Sequence, residues 1–214
     1  MDDAFKTMDR MYRLQRYFYD ATRKYYLLGR DRLLDEMEIN PDESVLEVGC
    51  GTARNLIILA KRYPSASFYG LDASAAMLQT ARSKIAASRV PNITLRTALA
   101  DDFTHQRTFA LNEPFGKIFF SYSISMIPSW RNAIENSLSN LPSGGRLYIV
   151  DFYDFEGLPR LFQKLLKWWL IKFNVQFWED LMPFLDSLET DGRFGVSIRP
   201  LFNRYSFIAS IQVR

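Results

Sequence analysis

The sequence predicts an α/β fold built on a doubly wound, mostly parallel sheet. Three observations carry this. Short apolar runs alternate with longer segments of helical pattern along most of the chain. Proline and glycine clusters punctuate the alternation at Tyr63-Pro64-Ser65, Val90-Pro91 and Pro142-Ser143-Gly144-Gly145. The first apolar run leads straight into a glycine turn and then a helix, the arrangement in which a backbone admits a ligand closely and a helix start offers N–H groups.

Taken in order, Ala4 to Met37 reads as a helical arm in two pieces, broken at Gly29 and rich in Tyr, Arg and Lys. Tyrosines combine an apolar body with a polar tip, so the arm (residues 1–37) suits a lid over a ligand as well as plain packing on a sheet. Asn40-Pro41 ends it. Val45, Leu46 and Val48 form the first strand, Gly49 and Gly51 the turn, and Asn55 to Arg62 the helix. Ser67 to Asp72 is the second strand, followed by Ser74 as cap of a helix over Ala75 to Ala87. Ile93 to Thr97, Ile118 to Ser121 and Arg146 to Asp151 are the next strands, with a helix over Trp130 to Asn140. A segment from Gly157 to about residue 190 is inserted after the fifth strand. Phe194 to Leu201 and Tyr205 to Val213 read as a closing antiparallel pair.

Composition removes several classes of function. A formal net charge of +3 is too small to argue for nucleic acid. Cys50 is the only cysteine, so no disulfide framework exists, and it reads as a small residue of the turn rather than a nucleophile. His105, the only histidine, falls in a stretch that reads as a solvated loop, so a histidine metal site is not expected. No apolar run reaches the ~20 residues of a membrane span, and Met-Asp-Asp lacks the pattern of a signal peptide, so no leader is expected.

The turn narrows the ligand. A dinucleotide site would read Gly-x-Gly-x-x-Gly and a phosphate loop Gly-Lys-Ser/Thr. Here Glu47 stands two residues before Gly49. A carboxylate there opposes a phosphate and suits a cationic amino acid. Asp72, about 20 residues past the glycines, is placed to accept from both ribose hydroxyls; the alternative for it is a helix cap, a role Ser74 fills better. Ser121, Tyr122 and Ser123 end the fourth strand, where ligands of open parallel sheets bind, unless they form only a polar turn.

Glu47-x-Gly49-x-Gly51 resembles the cofactor turn of class I S-adenosylmethionine-dependent methyltransferases, with Ala53 where a third glycine is common. The resemblance implies a Rossmann-like sheet of seven strands, mostly parallel with an antiparallel C-terminal strand. It implies S-adenosylmethionine as cofactor, with S-adenosylhomocysteine as product. Glu47, Gly49, Cys50 and Gly51 would hold the methionine portion, Asp72 the ribose, Ala73 and Met77 the adenine region. Leu99 and Ala100 would flank the base, Leu99 standing where the family often has Asp; Asp101 is either a polar substitute or part of a solvated acidic loop.

Two further stretches are more specific. Arg23-Lys24-Tyr25-Tyr26-Leu27-Leu28-Gly29-Arg30-Asp31 and Ser125-Met126-Ile127-Pro128 resemble the bacterial diacylglyceryl-homoserine N-methyltransferases of betaine-lipid synthesis. By that resemblance the lipid amine is methylated three times, at the inner membrane surface of the cytoplasm, beside the enzyme that forms the homoserine lipid. Tyr19, Tyr26 and Tyr122 would wall the methyl and the incoming amine. Arg23 and Arg30 would pair with a substrate or methionine carboxylate, or else form ordinary ion pairs, and Ser123 would lie near the acceptor. No nucleic acid and no metal is implied. A soluble small-molecule or quinone methyltransferase, and a non-catalytic cofactor-binding member, are the rival readings. Leu158-Pro159 to Trp178 carries Arg160, Lys164, Lys167 and Lys172 and no acid. At 100° per residue three of these share one stripe beside leucines and tryptophans, which suits a bilayer interface or, equally, a helix packed over the site with a solvated basic face.

Overall fold

The computed structural model describes residues 26–190 and 192–214. Its strands are β1 (Ser44–Val48), β2 (Ser67–Asp72), β3 (Ile93–Thr97), β4 (Lys117–Ser121), β5 (Arg146–Phe152), β6 (Phe194–Leu201) and β7 (Ser206–Val213). They form one sheet in the order β3-β2-β1-β4-β5-β7-β6. β3 to β5 of this order are parallel, while β7 pairs antiparallel with both β5 and β6. This is the Rossmann-like fold of methyltransferases that the sequence predicts.

The parallel strands are buried on both faces, which is why they read as near-continuous apolar runs. Side chains alternate between two cores. Val45, Phe119, Tyr148, Val150 and Ile208 face one layer, which includes α1 (Arg30–Glu36), α2 (Arg54–Arg62), α3 (Ala75–Ser88) and α6 (Arg160–Ile171). Leu46, Val48, Phe120, Ile149 and Phe207 face the other, with α4 (His105–Phe109), α5 (Trp130–Ser139) and α7 (Leu181–Thr190).

Several boundaries have local causes. Gly29, at φ +96°, begins α1, and a Cβ there would meet Leu201 Cδ1 at 2.9 Å. The expected break in the arm therefore falls where α1 crosses the sheet. Ser74 caps α3, its hydroxyl accepting from Met77 N at 3.3 Å. Pro159 is the residue before α6 rather than its first helical residue. At the amino ends of the strands, the Lys117 ammonium contacts both Glu43 oxygens, at 2.5 and 2.7 Å, in a largely buried pair.

One expectation is corrected. His105 is not in a loop. It opens α4, which Thr104 caps, and its Nδ1 lies 3.1 Å from Asn140 Oδ1. Thr104 supplies the local reason: its hydroxyl accepts from Arg107 N at 3.0 Å and starts a turn of helix.

Candidate active site

The strand register sets the site. Val48 of β1 lies beside Leu71 of β2 and Phe120 of β4, so Gly49, Asp72 and Ser121 emerge together at the carboxyl ends. The N–H groups of Gly49 and Cys50 both donate to Leu71 O, at 2.9 and 3.0 Å, and pin the turn to β2. Gly49 and Gly51 have φ of +74° and +52°. Gly49 is required twice over, since a Cβ there would sit 2.6 Å from Ser123 Cβ. Ser123 in turn donates its hydroxyl to Val48 O at 2.8 Å, so the loop after β4 is braced on the turn.

Ala53 also has positive φ, +60°, and stands immediately before α2. This is the structural meaning of the missing third glycine: the backbone keeps the left-handed conformation although the residue carries a Cβ, at a cost of roughly 1–2 kcal/mol.

Two carboxylates face this turn, and each is fixed. Glu47 is buried, and its Oε1 accepts from Asn55 Nδ2 at 2.7 Å, an orienting contact from the second residue of α2. Asp72 is buried and bridges two elements: Oδ2 accepts from Gly51 N and Oδ1 from Ser74 N, both at 2.8 Å. Ser121 Oγ is buried and has no hydrogen-bond partner among the described residues. Cys50 is buried against this pair; burial first, then the Asp72 and Glu47 charges, push its thiol well above its ordinary value, so it is an inert packing group. Its Sγ would lie 2.8 Å from a Cβ at Gly70, which explains the glycine in the middle of β2.

Ala73, Met77, Leu99 and Ala100, expected at the adenine, follow β2 and β3. Met77 is a buried residue of α3 and Ala73 is half-buried. Ala98 N donates to Asp72 O at 3.3 Å, which draws the end of β3 against Asp72. Leu99 lines a cavity of about 470 Å³ at the sheet edge, together with Arg96, Thr97, Asp102 and Arg107. No residue of the glycine turn lines it.

On the other flank, Tyr26 and Tyr122 were expected to wall the methyl and the incoming amine. The Tyr122 hydroxyl is not open to an acceptor: the residue is buried at φ +55°, packs edge-on against Phe152 at 4.7 Å, and donates a short hydrogen bond to Leu28 O. Burial pushes its hydroxyl well above the ordinary range. Tyr26 turns its ring onto Trp169 of α6, at 4.9 Å, while its carbonyl accepts from Tyr205 OH at 2.7 Å. These contacts fasten residues 26–28 across the sheet, and the Tyr122 hydroxyl is committed to Leu28 O. Arg30 is buried and near enough to Tyr122 for its charge to act on that hydroxyl. Tyr19 and Arg23, with residues 1–25 of the arm read as a lid, lie outside the described residues.

Asp151 was read only as a strand end. It is fully buried, its Oδ2 accepting from Ser125 N at 3.0 Å and its Oδ1 from Phe152 N at 2.8 Å. Burial pushes its carboxyl up to about 6. It holds the short turn Ile124–Met126 that follows Ser123. The sequence signal was there: Asp151 closes an apolar strand as Asp72 does.

The comparison with known proteins decides the class. The family described as "Methyltransferase domain" matches residues 39–186, most of the chain, with the glycine turn, Glu47, Asp72 and the loop after β4. The chain belongs to this family. The methyltransferase is 26% identical over 163 residues to the ubiquinone/menaquinone biosynthesis C-methyltransferase UbiE of Geotalea daltonii, covering 72% of this chain and 66% of that one. It is 28% identical over 109 residues to the trans-aconitate 2-methyltransferase of Deinococcus radiodurans, covering 51% and 38%. The chain thus spans less than two thirds of either relative. A solved structure described as a DhpI-SAM-HEP complex superposes with a TM-score of 0.68 at 18% identity, covering 97% and 96% of the two chains. The chain thus carries a methyltransferase domain of the class I S-adenosylmethionine-dependent kind. The residues present suit that cofactor: a buried carboxylate before a turn that a Cβ would fill, and an acid closing β2.

Proposed function

We propose that this methyltransferase transfers methyl groups in succession to the amine of diacylglyceryl-homoserine, giving the trimethylated betaine lipid. What supports it is the likeness of the stretches Arg23 to Asp31 and Ser125 to Pro128 to the family of that lipid enzyme.

The cofactor supplies a methyl group on a sulfonium, already activated for displacement. Glu47 would hold the methionyl ammonium, Asp72 the ribose, and Ala73, Met77, Leu99 and Ala100 the adenine region. The Gly49–Gly51 turn gives the close backbone approach, with Ser121 and Ser123 at the methyl end. An amine acceptor needs a line of attack, loss of its proton and exclusion of water more than a strong acid or base. The described residues fit that demand: His105 is tied to Asn140, the Cys50 thiol is masked, and no group of His, Cys, Asp and Glu among them gathers as a metal site. Asp151 and Tyr122 hold the loop and the 26–28 segment that frame the acceptor side.

A second reading is favoured by one observation, the match to UbiE over 72% of the chain. There the acceptor would be a carbon of an isoprenoid quinone. One assay separates the two. The protein is incubated with isotopically labelled S-adenosylmethionine and either diacylglyceryl-homoserine or a demethylated quinone in detergent. Mass additions of one, two and three methyl groups on the homoserine lipid are expected. A single addition to the quinone, with the lipid unchanged, would transfer the assignment to the second reading.

A further inference from the structure

Among the described residues, five of the six large hydrophobic side chains that stand exposed lie on one helix, α6. Leu161, Phe162, Leu165, Trp168 and Ile171 are each between 50% and 73% accessible. At 100° per residue Leu161, Leu165 and Trp168 fall within about 60° of one another and form the outermost ridge. Leu170, buried, points the opposite way, and Trp169, half-buried on the flank, packs on Tyr26 and Phe173; these already supply the helix's contact with the protein. The outward ridge is therefore not required for packing α6, and an apolar patch of this kind marks an interaction surface.

Charge indicates what covers it. Arg160 and Lys164 lie exposed along one flank, with Lys167 behind them. Lys172 follows the helix and stacks its ammonium on the Trp168 ring at 3.6 Å. No acid occurs between Glu156 and Glu179. A second copy seated ridge to ridge would bring two wholly cationic helices together, which like-charge repulsion disfavours. An anionic lipid surface instead satisfies both parts, taking the leucines and tryptophan into its interface and the cations among its head groups. At 12 residues α6 is too short to cross a bilayer, so it lies on one.

The position of α6 gives this contact a consequence. Trp169 abuts Tyr26, whose neighbour Leu28 is held by Tyr122 at the end of β4. The chain leaving α6 returns to the same end: Gln176 N donates to Ser125 O at 2.7 Å and Trp178 Nε1 to Ile124 O at 3.0 Å. We infer that α6 is an in-plane membrane anchor that docks the enzyme on anionic bilayers with the carboxyl ends of β4 and β5 beside the lipid. This holds whether the acceptor is a lipid amine or a quinone ring, and it states how either reaches the site without leaving the membrane.

The test is flotation of the full chain with vesicles of phosphatidylcholine alone or with phosphatidylglycerol, at low and high salt. Binding to the anionic vesicles, weakened by salt, is expected. Leu161→Asp/Leu165→Asp should reduce it at least tenfold while circular dichroism stays native, and Lys164→Glu should reduce it and flatten the salt dependence. Trp168 fluorescence, isolated by comparison with Trp168→Phe, should shift to the blue with vesicles and be readily quenched by acrylamide without them. No flotation with anionic vesicles, or flotation unchanged by the double substitution, overturns the inference. So does a Trp168 shielded from acrylamide in the free protein, which would mean that residues 1–25 or a second copy cover the ridge. Methyl transfer in detergent is measured alongside. No vesicle binding by the parent protein with lipid methylation in detergent intact refutes the anchor alone, whereas binding without any lipid product refutes the proposed acceptor alone.

Discussion

Replacing Gly49 with Ala tests how the cofactor turn is held. The substituted residue keeps a φ of +74°, which costs ~1–2 kcal/mol for a residue with a Cβ. The new methyl also lands 2.6 Å from Ser123 Cβ and 3.1 Å from Ser123 Oγ. Relieving that overlap moves the loop whose hydroxyl holds Val48 O, an overpacking cost of ~1–3 kcal/mol. Gly49→Ala should therefore destabilise by about 3 kcal/mol, a fall in Tm of roughly 6–12 °C for a chain of this size. Ser123→Gly alone should cost about 1–2 kcal/mol through the lost hydrogen bond and the added chain freedom. The double substitution removes the overlap, so it should fall short of the sum by about 1–2 kcal/mol. Urea unfolding of the four proteins measures this coupling, and calorimetry with S-adenosylmethionine shows whether binding falls in parallel. A Gly49→Ala variant within about 0.5 kcal/mol of the parent, or strictly additive costs, would refute the claim that the turn and the loop after β4 are one braced unit.

Three other perturbations have defined outcomes. Asp151 has its carboxyl raised to about 6 from 3.8, so the folded state holds this proton more tightly than the unfolded chain. Its protonated form thus favours folding at low pH, and that advantage, up to about 3 kcal/mol, is lost as pH rises from 4 to 6; the stability of Asp151→Asn relative to the parent should rise by that order across the window in urea titrations at stepped pH. Ala53→Gly should be neutral to stabilising by up to about 1 kcal/mol, because relief at φ +60° outweighs the added freedom of the unfolded chain, and a clear loss in Tm would contradict the strain assigned there. Lys117→Ala leaves the Glu43 carboxylate largely buried without its ammonium and should cost about 3 kcal/mol, whereas Lys117→Ala/Glu43→Gln should recover part of it in thermal melts.

How much of this was legible in the sequence depends on whether the signal was local. β2 and β3 have the residue bounds that alternation and punctuation predict, because Tyr63-Pro64 and Val90-Pro91 end the preceding helices wherever the rest of the chain lies. Glu47, the glycines and Asp72 were found because their spacing repeats a backbone requirement. The bond of the Tyr122 hydroxyl was not foreseen because a tyrosine hydroxyl looks the same in sequence whether it meets a substrate or a carbonyl. Only the fold reveals that Leu28 O lies above Tyr122. Asn55 and Asp151 were passed over for the same reason: their partners, Glu47 across the turn and Ser125 from the neighbouring strand's loop, are set by sheet order. The outward ridge of α6 was half visible. Its periodicity was plain, but which tryptophan faced out was settled by packing.

Sheet order also bears on biosynthesis. β7 is the last strand made, yet it lies between β5 and β6. While the ribosome is still delivering α6, α7 and β6, the outer edge of β5 has no strand to pair with, and β6 has nothing to join. The nascent chain therefore passes through a stage with an open apolar sheet edge and the uncovered ridge of α6 together. Such an intermediate invites chaperones, self-association or early contact with lipid, and the route it takes is decided before the last strand closes the sheet.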